Sequence, residues 1–498
     1  MFKNIVGDHK PDILDCINNL SSDEVFTPPS VAEQVLDLLP PQLWSNPDIK
    51  FLDPACKTGV FLRDAAKRLM VGLAAAFPEE DERRKHIFEN MLYGIALTEL
   101  TGLMSRRSLY CSKDAASRFS VVRLPGPDGN IHYSRGRHEY GTNRKCKFCG
   151  APEGDLDRGE HLENYAYQFI HRKDIFDMKF DVIIGNPPYQ LEDEGFGASA
   201  SPIYQLFVNQ AIQLNPSYLA MIIPARWYAG GKGLDDFRSQ MINDRRIKYL
   251  VDYPKLFECF PGVEIKGGIC YFLWEAKYSG DCTVRTIIDG EQVSEAIRDL
   301  REGGDVLVRW NEAMSILAKV QDANEVMLDS FVSSRKPFGL ATTDLGSLAQ
   351  MDNQEVIMYR RGGISFIARE ALTSNSTWID KFKVLTAMGA DGHGRIPMTV
   401  TGEPIVAPPG SACNETYLVV KAFDSEMEAD NLAIYLKTKF VRFLISLRKN
   451  TQHMTKERFA FVPSLDMTQT WTDAKLYERY QLTKEEIEFV ESMIKEMP

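Results

Sequence analysis

Short apolar runs recur through the first half of the chain, at residues 51–52, 92–97, 180–184, 219–223, 249–251 and 269–273. Stretches with helical spacing separate most of them, among them 60–75 and 203–214. Residues 30–39 put Val31, Val35, Leu36 and Leu39 on one helical face, and Pro40 and Pro41 stop that helix. Buried strands alternating with amphipathic helices predict a mostly parallel sheet covered on both faces. Ligands of such sheets bind at the carboxyl ends of the strands. Residues 111–162 interrupt the alternation. They are rich in Gly, Arg, Lys and His, poor in apolar runs, and read as an insertion. The expected domains are therefore 1–284, which holds the insertion, and 285–498, where the pattern becomes mixed α+β. In the second, Thr483 and Glu486 form a capping box, and Ile487, Val490 and Ile494 make one apolar stripe behind it.

Composition narrows the class without naming a chemistry. Among 498 residues, 44% are hydrophobic and 26% charged, which suits a soluble globular protein and excludes a disordered chain, a collagen or a coiled-coil rod. No apolar run approaches the roughly 18 residues of a membrane helix, and the first residues are too charged for a signal peptide. Nine cysteines without framework spacing read as reduced thiols, hence a cytoplasmic protein. A net charge of −11 excludes a uniformly basic coat but leaves room for a basic face.

The most informative segment is 180–189, where an apolar strand ends at Gly185 and Asn186-Pro187-Pro188-Tyr189 follows. Two prolines make a stiff turn that neither extends a strand nor starts a helix easily. It offers an amide oxygen and free carbonyls, held rigidly beside an aromatic ring. Such a set suits a planar amino group: two acceptors take its two hydrogens, and the ring stacks on its face. Accepting those hydrogens draws the nitrogen lone pair out of conjugation, by geometry and electrostatics alone. A second segment, 51–61, reads strand, turn with Gly59, then helix. Its small residues let a ligand approach the backbone and the helix N-terminus, and Asp53 can accept from a cationic or amino group.

Asp53-Pro54-Ala55-Cys56 with Gly59, followed by Asn186-Pro187-Pro188-Tyr189, resembles the gamma-class DNA N6-adenine methyltransferases of restriction–modification systems. The resemblance covers roughly residues 20–280 and extends to the order of parts. Phe26-Thr27-Pro28 resembles the family's N-terminal cofactor motif. Asp174-Ile175-Phe176 resembles its acidic motif near the adenine end of the cofactor. Residues 257–272 resemble the hairpin that presents an aromatic ring, here Phe260, to the flipped base. The resemblance implies a Rossmann-like, seven-stranded class I methyltransferase sheet and a C-terminal α+β domain that reads DNA. It implies S-adenosylmethionine as cofactor, double-stranded DNA as partner, and an enzyme of the prokaryotic cytosol acting in restriction–modification or phage defence. Asn186, Pro187, Pro188 and Tyr189 would be catalytic, with Tyr189 and Phe260 stacking on the base. Phe26, Thr27, Pro28, Asp53, Pro54, Ala55, Gly59, Asp174, Ile175 and Asn186 would hold the cofactor.

Two positions depart from the family pattern. Lys57 replaces the first of two later glycines in the turn. Ala96 stands where an acid usually binds the ribose, and Glu99, three residues on, is the candidate replacement. Methylation of RNA or of a protein glutamine is the alternative within the same motif, and a catalytically idle DNA-specificity subunit is the alternative outside it.

The insertion contains Cys146-Lys147-Phe148-Cys149-Gly150, a zinc-knuckle-like half site. Cys111 and one of His132, His138 or His161 would complete a structural zinc site, His138 being the first choice. Ordinary thiols and a redox pair are the other readings. Arg106, Arg107, Arg135, Arg137, Arg144 and Lys145 surround the knuckle. Asp252 with Glu264-Ile265-Lys266 has the spacing of a metal-dependent nuclease, but the hairpin already explains that stretch, so any restriction endonuclease is expected on a separate chain. The basic stretch 437–458, with Arg448 and Lys449, and Arg335-Lys336 and Arg360-Arg361 are the candidate phosphate contacts.

Overall fold

The computed structural model describes residues 25–134, 136–150, 153, 167–171, 176–191, 201–231, 233–255, 257–260, 263, 265, 267–348, 355–389, 396–449 and 453–497. Arg135, His161, Asp174, Ile175, Glu264 and Lys266 lie outside them. The chain divides into two compact units, Met1–Arg301 and Glu302–Pro498. No helix among the described residues is long and apolar enough to cross a membrane.

The first unit is an α/β fold on one large sheet. In chain order its strands are β1 (Phe51–Asp53), β2 (Leu92–Ile95), β3 (Ile131–His132), β4 (Val182–Gly185), β7 (Tyr218–Pro224), β8 (Ile247–Tyr253), β9 (Ile269–Glu275), β10 (Cys282–Ile288) and β11 (Glu291–Arg298). A separate short pair, β5 (Gln190–Leu191) and β6 (Ser201–Pro202), lies between β4 and β7 in sequence. The order across the sheet is β11-β10-β8-β9-β7-β4-β1-β2-β3. Strands β3, β2, β1, β4 and β7 run parallel, and β9 runs antiparallel to both β7 and β8.

Three expectations need correction. The sheet has nine strands rather than seven, because the β10–β11 hairpin adds to one edge. Strand β10 alternates buried and half-buried positions and β11 is mostly exposed, so neither forms an apolar run, although Asp289-Gly290, both at positive φ, is a two-residue hairpin signal. For the same reason the boundary expected after residue 284 falls inside β10, which pairs with β8 through Thr283 and Tyr249, and the division lies at Arg301. The supposed insertion also starts too early. Ile131 pairs with Gly94 of β2, and Ala115, Val122, Leu124 and Ile131 join the main core. A two-residue strand leaves no run for periodicity to detect.

Helices cover the sheet: α1 (Pro29–Asp37), α2 (Val60–Gly72), α3 (Glu80–Asn90), α4 (Glu99–Tyr110), α5 (Gln168–His171), α6 (Tyr204–Gln213) and α7 (Asp235–Asn243). Helix α1 buries Val31, Ala32, Val35 and Leu36, the face that its spacing predicts. With Phe51, Phe61, Leu69, Leu92 and Val182 they form one core. Truncating a residue as deeply buried as Phe51 to Ala would cost about 3–5 kcal/mol.

The second unit is α+β. It contains two three-stranded sheets. One joins β12 (Glu355–Arg360), β13 (Gly363–Ala368) and β16 (Ser411–Cys413). The other joins β14 (Phe382–Ala387), β15 (Ile405–Ala407) and β17 (Tyr417–Phe423). Its helices are α8 (Ala313–Asp322), α9 (Glu426–Lys437), α10 (Lys439–Leu447), α11 (Asp473–Arg479) and α12 (Lys484–Met493). Thr483 caps α12 with the expected box to Glu486.

Candidate active site

The sheet order reverses between β1 and β4. On one side of that line the chain builds outward through β2 and β3, on the other through β7. This is the switch point at which doubly wound sheets open a crevice. Asp53 ends β1, and Asn186 follows the last residue of β4. Gly185 makes their approach possible: a Cβ there would stand 2.8 Å from Asp53 Oδ1. A cleft lined by Thr27, Asp53, Ala55, Lys57, Thr58, Gly59, Val60, Phe61 and Asn186 opens at this point.

Asn186 is buried. Its Nδ2 donates to the Val25 carbonyl at 3.0 Å and to Thr27 Oγ1 at 3.1 Å. Because a carbonyl only accepts, the Val25 contact fixes which end of the amide is nitrogen. The other end, Oδ1, is buried without a hydrogen-bond partner among the described residues. A buried acceptor left unpaired costs about 1–3 kcal/mol, and no described residue donates to this oxygen. Pro187 and Pro188 are buried behind it, and Tyr189 is half-buried beside it. Phe260 is buried, its ring 6.4 Å from that of Tyr189 at 63°. The two expected stacking rings are thus brought together, edge to face.

Asp53 accepts from the Ala55 N–H at 3.0 Å. Burial pushes its carboxyl up to about 7, against the opposing pull of that N–H and of the Lys57 ammonium. Gly59, at φ +74°, caps α2, and a Cβ there would come within 3.1 Å of the Ser105 backbone. Ser105 on α4 donates its hydroxyl toward the Cys56 carbonyl, locking the loop from beneath. Lys57 is the unexpected member: its ammonium lies inside, donating to the Val25 carbonyl at 2.9 Å and lying 5.9 Å from the Tyr189 ring centre. Phe26 and Pro28 are buried, and Pro28 precedes α1. Glu99 is exposed in the first turn of α4 and does not line the cleft, while Ala96 is buried. Phe176 packs edge-on against Tyr93 of β2 at 5.5 Å. Ser105 and the Val25 carbonyl were not legible in the sequence, since neither belongs to a motif and both act through the folded backbone.

In the insertion, His138, Cys146, Cys149 and His171 bring their ligand atoms within 4.8 Å of one another. His171, not Cys111, is the fourth member. Cys111 ends α4 in a left-handed conformation with its side chain exposed, and His132 packs on Phe176 instead. His171 was missed because it lies on α5, nine residues past the insertion's expected end; extending the search for His in sequence would have found it.

The basic residues divide. Arg448 is corrected from phosphate contact to interior support. It is buried, holds Asp305 with two bonds of 2.8 Å, donates to the Glu457 carbonyl at 2.8 Å, and covers the Phe461 ring. Arg442 is buried as well, and Lys437 and Lys439 pair with Glu403 and Glu491. The charge count along 437–458 could not distinguish exposed from internal cations, and Lys449, next to Arg448, is only partly exposed. Arg335 and Lys336 are exposed, with Glu415 beside both.

Residues 90–260 match the family described as Eco57I restriction-modification methylase, a span that includes the 186–189 turn and Phe260. A nuclease-deletion mutant of the Type ISP restriction-modification enzyme LlaGI, solved with a DNA substrate mimic, is 11% identical with a TM-score of 0.49, over 86% of this chain and 45% of that chain. The Type IIL enzyme MmeI, solved with DNA, is 11% identical with a TM-score of 0.47, over 86% of this chain and 62% of that one. The chain spans about half the length of several solved chains it matches. An uncharacterized adenine-specific methylase of Mycoplasma pneumoniae is 41% identical over 309 residues, which cover 56% of this chain and 73% of the relative. At that identity over most of the relative's length, the chain belongs to the adenine-specific methylases of the restriction–modification family.

Proposed function

We propose that this chain methylates the N6 amino group of adenine at specific sites in double-stranded DNA, with S-adenosylmethionine as methyl donor. The observation that carries the reading is the buried Asn186 Oδ1, which has no hydrogen-bond partner among the described residues, in the cleft that also holds Asp53. The residues fit both ligands: a carboxyl that ionises near neutrality suits a cationic donor, and an orphaned acceptor suits amino hydrogens. S-adenosylmethionine, when bound, supplies an electrophilic methyl group on a sulfonium.

Asn186 Oδ1 accepts one amino hydrogen, and the Pro187 carbonyl is the second acceptor. Together they hold the nitrogen lone pair out of the ring and toward the methyl group. A methyl group supplied there would bond to the nitrogen as its bond to sulfur breaks, S-adenosylhomocysteine leaving with that electron pair, and the Asn186 and Pro187 oxygens or water would take the proton that the nitrogen sheds. The two prolines fix the turn, so the orientation is set before the substrate arrives. The adenine must leave the duplex to reach this depth. Tyr189 and Phe260 then part from their edge-to-face contact and take the base between them. Phe26, Thr27, Pro28, Pro54, Ala55 and Gly59 would hold the donor, while the expected Asp174-Ile175 contact lies outside the described residues. Residues 302–498 recognise the DNA. A cognate endonuclease would be a separate chain, and phage defence in the prokaryotic cytoplasm would be the setting.

Lys57 favours one second reading, a DNA-binding subunit that has kept the turn and lost the donor. A single experiment separates the two. The purified chain is incubated with DNA and S-adenosylmethionine labelled in the methyl group, and the DNA is digested to nucleosides. Label in N6-methyladenine is the expected result. Label on cytosine, on RNA or on protein, or no binding of the donor at all, would overturn the reading.

A further inference from the structure

The insertion builds a site that the methyl-transfer reading does not use. Cys146 Sγ lies 3.4 Å from His171 Nε2, and Cys149 Sγ lies 3.4 Å from His138 Nδ1. Metal bonds of about 2.0–2.3 Å from nitrogen and sulfur give tetrahedral edges of roughly 3.3–3.8 Å, so both separations are those of ligands around one ion. The hairpin is shaped for it. Tyr140 bridges to Cys146, and Gly150 donates its N–H to the Cys146 carbonyl at 3.0 Å while in the left-handed conformation. The second ring nitrogen of His171, Nδ1, donates to the Tyr167 carbonyl at 2.8 Å. That bond fixes the tautomer that turns the Nε2 lone pair toward Cys146, the outer support that metal-bound histidines commonly have.

We infer that His138, Cys146, Cys149 and His171 bind one structural zinc ion. Two thiols lose their protons on binding, and two neutral imidazoles complete a ligand set of zero net charge with the dication. Two soft sulfurs and two imidazoles suit zinc and disfavour magnesium or calcium. All four positions are filled by side chains, which marks a structural rather than a catalytic ion. Three ligands come from the hairpin, and the fourth comes from α5, whose Phe169 stacks on Phe207 of α6 at 5.6 Å. The ion therefore anchors a polar hairpin to the helical layer on the first unit's sheet, and metal binding adds the folding energy that the hairpin's small apolar content lacks.

The test uses the full chain, purified without added metal and analysed for metal content. One zinc per chain is expected, lost in Cys149→Ser and kept in Cys111→Ser. Variants can lose metal by misfolding, so the zinc is also replaced by cobalt in the native chain. A tetrahedral cobalt spectrum with sulfur charge-transfer bands is expected, and those bands should strengthen in His171→Cys, where a third thiolate replaces an imidazole. Substoichiometric metal together with no tetrahedral cobalt spectrum would overturn the proposal. So would a Cys146–Cys149 disulfide in protein prepared under reducing conditions, or loss of zinc from Cys111→Ser alone.

Discussion

The backbone carbonyl of Val25 and the side-chain amide of Asn186, 161 residues apart, meet at 3.0 Å. Together with the bond to Thr27 Oγ1, this bond orients the amide of the 186–189 turn. It ties the segment before α1 to the end of β4, and so makes the geometry of the turn depend on residues far from it in sequence. The same carbonyl takes a second hydrogen bond, from Lys57. Three loops that are remote in the chain thus converge on one oxygen.

Asn186→Ala should lower the single-turnover rate of methyl transfer by about 10²–10³, the usual cost of one positioned polar contact at a reacting centre. Binding of DNA should change little, because the loss falls on the positioning of the amino group. Thr27→Val, which keeps the Val25 contact, should reduce the rate far less. Near-normal turnover in Asn186→Ala would remove the orienting role.

Lys57 places an ammonium in the cleft proposed for a sulfonium donor. Two like charges roughly 6 Å apart at an effective dielectric of 20 repel by on the order of 2–3 kcal/mol. Lys57→Met keeps the length and removes the charge, so it should tighten S-adenosylmethionine binding by up to about 30- to 150-fold, with a smaller gain for S-adenosylhomocysteine, which lacks the sulfonium charge. Calorimetric titration of both ligands reads the difference. Equal gains would mean that the lysine acts by bulk rather than charge.

The apolar runs fixed most of the parallel sheet in advance, because a strand buried on both faces needs an unbroken run of Val, Ile and Leu. The same rule hid β3, which is two residues long, and the β10–β11 hairpin, which is half solvated. That Asp53 and Asn186 would share one crevice was legible because both follow or end parallel strands at a switch point. Their partners were not, since a backbone carbonyl such as that of Val25 leaves no trace in residue identity. Arg448 was misread for a related reason: charge is visible in the sequence, but whether Asp305 lies across from it is a tertiary fact.

That tertiary fact separates two kinds of basic residue. Arg448→Ala removes the pair with Asp305, the bond to the Glu457 carbonyl and the cover on Phe461, and should cost about 2–3 kcal/mol of stability. The salt dependence of DNA binding should stay as it is. Arg335→Ala with Lys336→Ala should do the opposite. These exposed pairs with Glu415 contribute at most about 1 kcal/mol each, while the salt slope should fall by about one to two phosphate contacts. Melting curves and DNA titrations at two salt concentrations give both readings. An unchanged slope in the double variant would place the phosphate contacts elsewhere.

Asp53 should couple pH to both folding and cofactor binding, in opposite directions. Its carboxyl ionises at about 7 in the folded chain because burial disfavours the charge, against an ordinary value of 3.8. The native state therefore holds a proton that the unfolded chain releases between these values. Its contribution to stability is complete below about pH 4 and is lost as pH rises toward 7. A cationic donor needs the carboxylate, so its affinity should rise across the same window, by up to about tenfold per unit, and level off above it. Two ionisable neighbours face the group. The Lys57 side chain pulls the carboxyl down, and the Cys56 thiol, pushed well up by burial, stays protonated throughout. Asp53→Asn cannot ionise and should lose both dependences. The measurement is a comparison of wild type with Asp53→Asn, in melting temperature without ligand and in S-adenosylmethionine affinity, across the window. The gap in stability between the two proteins should shift toward the variant as pH rises, and the gap in affinity should shift toward wild type. If neither gap changes with pH, Asp53 is not the group that titrates in the cleft.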